Sequence, residues 1–98
     1  MTTVLLTIEM FSDKIGEAFI VEESDTPAIA LTLVEATALR NFANTPRAPF
    51  TLLFTSQGSA LLPQRMYALR HETLGLQSFF LVPIGKDGDQ VTYQAVFN

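Results

Sequence analysis

His71 is the only histidine of a chain that has no cysteine. An imidazole is the one ordinary side chain that exchanges a proton between about pH 5 and 8, so His71 is the first candidate for acid–base chemistry. A nucleophilic triad would also need a suitably placed hydroxyl and carboxylate. The chain has no Gly-x-Ser-x-Gly motif, and Glu72 would point to the opposite face of a strand. We therefore expect His71 to lie at a strand end, hydrogen-bonded to backbone or water. An enzyme that uses His71 as its acid–base group is the third of three functional hypotheses.

The other polar residues and the glycines do not predict a metal site or a phosphate site. Asp87, Gly88 and Asp89 resemble part of a calcium loop, but the further oxygen ligands and the distal Glu do not follow. An Asp-Gly pair supplies the positive φ that a hairpin turn requires, which explains these residues without a metal. One histidine and no cysteine cannot provide the usual transition-metal ligands. The glycines fall in separate turns, so no phosphate-binding loop is predicted, and we expect no metal and no cofactor.

Acidic residues are concentrated in the N-terminal half of the chain. We interpret them as a solvated face, because the paired carboxylates of a glycosidase need a sugar cleft for which this chain is too short. The residues interpreted in this way are five of the seven acids in residues 1–49, namely Glu9, Glu17, Glu22, Glu23 and Asp25. The net charge of -4 and the pI near 4.7 oppose binding to nucleic acid, which rewards clustered Lys and Arg. We expect no nucleic-acid partner.

Size and composition predict one small domain over residues 1–98. Hydrophobic residues form 48% of the chain and charged residues 16%, against about 25% charged in typical domains. Polar residues to cover a small sphere are therefore few, and some apolar surface is expected outside the core. The longest apolar run, residues 79–84, is far shorter than the ~20 residues of a membrane helix. Residues 1–11 lack Lys and Arg, so we expect no secretory signal and a cytoplasmic location. From the short apolar run we expect no membrane partner.

A short helix is predicted near the N-terminus. Thr7 is placed to cap it, Ile8, Phe11 and Ile15 follow near helical spacing, and Gly16 stands where a helix ends. We expect this helix to close one end or cover one face of a sheet. A helix that docks a partner is the alternative.

Six strand candidates make up most of the remaining chain. Alternating apolar residues and turn signals place them at residues 18–22, 28–36, 50–55, 66–71, 76–84 and 91–97. Residues 37–49 are interpreted as a loop, of a length often found at binding surfaces. Short strands at regular spacing predict an all-β fold, a small antiparallel barrel or sandwich with one short N-terminal helix.

Apolar residues occupy both faces of the fifth strand, in the run from Phe79 to Val82. In one interpretation Leu53, Phe79 and Leu81 lie beneath the short helix and residues 37–49 and complete an ordinary core. In the other, these three residues form a patch, to which Val96 is also assigned, that is buried against another copy or a larger assembly. The last strand offers edge pairing if it is uncovered.

Several segments of the chain together resemble a family of short bacterial domains of unknown function. They are Phe50-x-Leu52-x-Phe54, Leu61-Leu62-Pro63-Gln64, Tyr67-x-Leu69-x-His71, Leu74-Gly75, Phe80-Leu81-Val82-Pro83-Ile84-Gly85 and Tyr93-x-Ala95-Val96-Phe97-Asn98. The resemblance continues more weakly through Phe11, Ile15-Gly16 and Phe19, and residues 37–49 do not take part. It implies a bacterial source and a neighbourhood of phage-tail-like or other secreted assemblies. It brings no catalytic residue and no ligand.

The favoured hypothesis is a non-enzymatic structural or adaptor domain that self-associates or docks on a protein partner. The low charge content and the two-faced apolar strand favour it. The second hypothesis is a small-ligand module whose barrel interior or mouth, near Tyr67, His71 and residues 37–49, accepts an apolar or aromatic molecule. An interior filled by Phe50, Phe54, Phe80 and Phe97 would count against that module.

Overall fold

One short helix and six strands form the fold. The computed structural model describes residues 6–22, 29–40, 48–56 and 61–97. Within these ranges the elements are α1 (Glu9–Ser12), β1 (Ala18–Val21), β2 (Ile29–Ala38), β3 (Phe50–Ser56), β4 (Arg65–His71), β5 (Gly75–Asp87) and β6 (Gln90–Phe97). The predicted all-β fold of six antiparallel strands with one N-terminal helix is confirmed. None of the described helices is long and apolar enough to cross a membrane.

The strands close into a barrel in the order β1-β2-β3-β6-β5-β4. All six pairings are antiparallel. The seam between β1 and β4 has the shortest register, in which Ile20 faces Arg70 and Val21 faces Leu69. Because β6 pairs with β3 along residues 91–97 and with β5 along residues 90–94, edge pairing with a partner is closed along residues 91–94 of the last strand.

The 13-residue strand β5 serves two neighbours in turn. Its first half, through Leu81, pairs with β4, and its second half, from Val82, pairs with β6. The register shifts between Pro83 and Gly85, where proline has no N–H to donate to a ladder. A two-residue turn at Gly88 and Asp89, with Gly88 at φ 62°, leads into β6. The predicted Asp-Gly turn is confirmed, and both strands extend further toward it than predicted.

The barrel interior is filled by apolar side chains. Alternating burial along β3, β4 and β6 places the predicted faces inward. Residues of the core that are no more than 2% exposed are Phe11, Phe19, Val21, Leu31, Leu33, Phe50, Leu52, Phe54, Tyr67, Leu69, Phe79, Leu81, Val91, Tyr93 and Ala95.

Strand β5 turns the predicted patch residues inward and their neighbour outward. Phe79 and Leu81 are 1% and 0% exposed, whereas their neighbour Phe80 is 44% exposed. The assignment of Phe79 and Leu81 to an outer patch is therefore wrong. The register decides the faces, because Phe79 pairs with the inward Tyr67 of β4, and a shift by one residue would turn every side chain over. Leu53 lies half-buried on the outer face and Val96 is exposed, and the assignment of these two residues to an interface stays a prediction.

Helix α1 is a single turn that covers one end of the barrel. Its Phe11 is fully buried, and its ring centroid lies 5.9–6.3 Å from those of Phe19, Phe50, Phe79 and Phe97. The predicted covering role is confirmed. The predicted cap at Thr7 is wrong, because the N-cap position before Glu9 is occupied by Ile8, which makes no side-chain capping bond.

The prediction of a loop over residues 37–49 is wrong at its first two residues. Strand β2 continues through Thr37 and Ala38, which pair with Thr51 and Phe50 of β3. The amide of Leu39 then donates to the carbonyl of Pro49 at 2.9 Å. Residues 41–47 lie outside the described ranges.

Candidate functional site

A buried histidine lies where β4 ends. His71 is 4% exposed, and its ring packs against the ring of Phe19 in β1 with centroids 4.6 Å apart. Its Nε2 lies 2.6 Å from Oε1 of Glu17. The other ring nitrogen faces the turn between β4 and β5.

The hydrogen bonds fix the tautomer of His71. Its Nδ1 accepts from the backbone N–H of Thr73 at 3.0 Å and of Leu74 at 3.2 Å. Because Nδ1 accepts, the ring proton is on Nε2, which donates to the Glu17 carboxylate. This confirms the expectation of a strand-end histidine that is hydrogen-bonded to backbone. Both nitrogens are engaged, so the ring as arranged offers no lone pair to a substrate.

The segment before β1 holds Glu17 in place. Gly16 donates its N–H to the carbonyl of Leu33 in β2 at 2.7 Å, and the Leu33 N–H donates to the carbonyl of Glu17 at 3.1 Å. Gly16 has φ 90°, a left-handed conformation that glycine adopts without the strain of a side chain. The backbone of Glu17 is thus fastened to β2 while its side chain reaches His71, 54 residues further along the chain.

An open cavity of about 670 Å³ lies beside this pair. It is lined by Asp13, Lys14, Glu17, Ala18, Ile20, Arg70, His71, Glu72 and Thr73. Each of its two cations is paired with a carboxylate, Lys14 with Asp13 at 2.8 Å and Arg70 with Glu22. The hydrogen bond and the charge of Lys14 hold the pKa of the Asp13 carboxyl below its ordinary value. Among the described residues no group of three or more His, Asp and Glu could hold a metal ion.

Tyr67, the second predicted ligand-binding residue, does not line this cavity. It is 1% exposed, and its hydroxyl donates to the carbonyl of Pro63. The guanidinium of Arg65 lies 4.9 Å from the centre of its ring. The structure therefore does not bring Tyr67 and His71 to one site. Glu17 is the site residue that sequence reasoning missed, because nothing in the local pattern links it to His71.

We predict that His71→Ala lowers the free energy of unfolding by about 1–3 kcal/mol, because two backbone N–H groups lose their acceptor. Urea unfolding followed by circular dichroism measures the change. Glu72→Ala is the matched control, since this exposed side chain lies in the same turn, and we expect less than about 0.5 kcal/mol from it. Equal effects from the two variants would contradict the bonding described.

Exposed and half-buried apolar residues lie together on the outer face of β3, β4, β5 and β6. Met66 and Phe80 are direct partners across β4 and β5 and are 59% and 44% exposed. Val82 and Leu53 lie on either side of Gln94, which pairs with both. Val96, 46% exposed, is two residues along β6 from Gln94. We call Leu53, Met66, Phe80, Val82 and Val96 the outer apolar patch.

One known protein family matches the chain over the whole barrel. A family described as a domain of unknown function, DUF6916, matches residues 6–97, which include every helix and strand given above. The chain belongs to the DUF6916 family. This confirms the resemblance to a domain of unknown function, while the bacterial source and the phage-tail-like neighbourhood stay predictions. No curated protein matches this DUF6916 chain. No solved structure matches it.

Proposed function

We propose that this DUF6916 barrel is a non-enzymatic structural or adaptor domain that docks through its outer apolar patch, with a second copy as the first partner to test. The observation that carries the proposal is the exposure of Met66 and Phe80 side by side across two strands. Contiguous apolar surface of this kind is typical of contact sites. The cytoplasmic location, the bacterial source and the phage-tail-like setting belong to the proposal and rest on sequence alone.

The exposed residues differ in kind from the single apolar side chains found on any surface. Met66 and Phe80 lie on a paired, hydrogen-bonded part of the barrel wall, and Val82 and Leu53 continue the apolar surface toward β3. A flexible methionine and an aromatic ring are residue types enriched at protein interfaces. A rigid strand scaffold presents them with little entropy to lose on binding.

Sedimentation velocity over a micromolar concentration series tests the proposal. We expect the wild-type protein to sediment as an oligomer and the Met66→Ser/Phe80→Ser double variant as a monomer. Ile15→Ser is the matched control, because Ile15 is 46% exposed but precedes β1, outside the patch, and we expect it to associate as the wild type does. A wild-type monomer at every concentration, or a double variant that still associates, contradicts the proposal.

A second candidate function, small-ligand binding, is favoured by the cavity beside His71. The barrel interior does not favour it, since Phe50, Phe54 and Phe79 are buried there. Phe80, which was expected in the interior, faces outward, and Phe97 is half-buried. Amide chemical-shift mapping with small amines and carboxylates tests this candidate. Shifts confined to Thr73 and its neighbours around the cavity would support it, and no shifts at millimolar ligand would count against it.

A further inference from the structure

The two edges of the His71 ring meet opposite kinds of partner. On one edge a carboxylate, that of Glu17, accepts from Nε2. On the other edge the backbone N–H groups of Thr73 and Leu74, both donors, point at Nδ1. A hydroxyl, Oγ1 of Thr73, also lies 3.2 Å from Nδ1. Proton uptake would therefore affect the two edges in opposite ways.

Protonation of the ring turns Nδ1 from an acceptor into a donor. The N–H groups of Thr73 and Leu74 would then face a third N–H and could no longer bond to it. The ring is 4% exposed and packs on Phe19, so the surroundings limit both its rotation and the access of water that could replace the lost bonds. The Thr73 and Leu74 amides therefore lose their bonds to the ring, whereas the Thr73 hydroxyl can turn from donor to acceptor and stay on Nδ1.

The Glu17 edge keeps its bond on protonation and gains a charge pair. The other charged groups around the cavity are Asp13 and Lys14 after α1, Arg70 of β4 and Glu72 of the turn. Lys14 and Arg70 are each paired with a carboxylate, so a positive charge on the ring is opposed by its burial and by the two N–H groups at Nδ1 and not by an unpaired cation of the cavity. A protonated ring therefore keeps its bond to Glu17 through Nε2.

We propose that His71 is a proton-operated latch, in which a proton on Nδ1 releases the backbone amides of Thr73 and Leu74 while Nε2 stays on Glu17. Glu72 and Thr73 of this turn line the cavity, so release of the amides loosens one part of the cavity wall. The latch is independent of the outer apolar patch.

NMR spectroscopy between about pH 8 and 5 tests the latch. The ¹⁵N shifts of the ring report its protonation, and amide exchange reports the turn. We expect the protection factors of the Thr73 and Leu74 amides to fall about fivefold or more as the ring protonates. The amides of β3, which pairs on both sides within the barrel, serve as internal controls and should keep their protection.

Two variants sharpen the test. Glu17→Gln keeps an oxygen acceptor for Nε2 without the charge, so the same release should occur at a lower pH. His71→Asn offers an amide oxygen near the position of Nδ1 that does not take up a proton in this range, so its turn should show no pH-dependent release. The proposal is overturned if the ring protonates while the Thr73 and Leu74 amides keep their protection. It is overturned equally if the ring stays unprotonated throughout the range in which β3 is protected.

Discussion

Replacing Phe79 by Ala lowers the free energy of unfolding by about 3–5 kcal/mol, the usual cost of removing a buried phenyl ring from a packed core. The ring is 1% exposed and lies 5.8–6.2 Å, centroid to centroid, from those of Phe11, Phe19, Phe54 and Phe97. Its removal leaves a cavity that four other aromatic rings surround. Urea unfolding of the purified variant measures the loss.

The matched control for Phe79→Ala is Phe80→Ala. The two residues are adjacent and carry the same side chain, but Phe80 is 44% exposed on the outer face. We expect Phe80→Ala to cost less than about 1 kcal/mol. The comparison removes the effects of residue type and sequence position, so only the face of β5 differs. If Phe80→Ala lowered the free energy of unfolding more than Phe79→Ala does, Phe80 and not Phe79 would face the core.

Replacing Phe11 by Ala is expected to cost about 3 kcal/mol or more. The four-residue helix α1 is too short to be stable by itself, so its position depends on the ring that it inserts among Phe19, Phe50, Phe79 and Phe97. Loss of this ring uncovers one end of the barrel. Thermal unfolding should show a lowered Tm, and the dye ANS, which binds exposed apolar surface, should fluoresce more strongly with this variant.

Glu9→Ala provides the control for Phe11→Ala. Glu9 is exposed on the same helical turn, and its removal should change the free energy of unfolding by less than about 0.5 kcal/mol. Similar losses in the two variants would mean that the helix contributes through its backbone and not through the buried ring.

The sequence pattern predicted the faces of β3, β4 and β6 because polar and apolar residues alternate there with a period of two. That signal is absent from β5, where Phe79 to Val82 are all apolar, and its faces follow instead from pairing with β4. Closure of the barrel also depends on long-range pairing, of β1 with β4 and of β3 with β6, that no local pattern contains.

Of the two bonded side chains at the candidate site, the sequence pointed to His71 but not to Glu17. His71 stood out as the single histidine at a strand end, next to a turn whose backbone amides could bond to it. Its partner Glu17 lies 54 residues away in a segment that carries no sign of the contact. The apolar run of β5 and the low charge content led to a predicted patch of Leu53, Phe79, Leu81 and Val96, of which Leu53 and Val96 lie on the outer face. Met66 and Phe80, the most exposed aromatic and methionine of the outer apolar patch, were not predicted there. The side chains of Phe79 and Leu81 fill the core instead.

Hydroxyl-radical footprinting at increasing protein concentration tests the central claim, an aromatic core inside and a docking patch outside, most directly. Tandem mass spectrometry separates oxidation at Phe79 from oxidation at Phe80. We predict that Phe79 is protected at every concentration, whereas Met66 and Phe80 react in dilute solution and become protected as the protein is concentrated. Oxidation of Phe79 in the folded protein would contradict the core, and constant reactivity of Met66 and Phe80 across the series would contradict the docking patch.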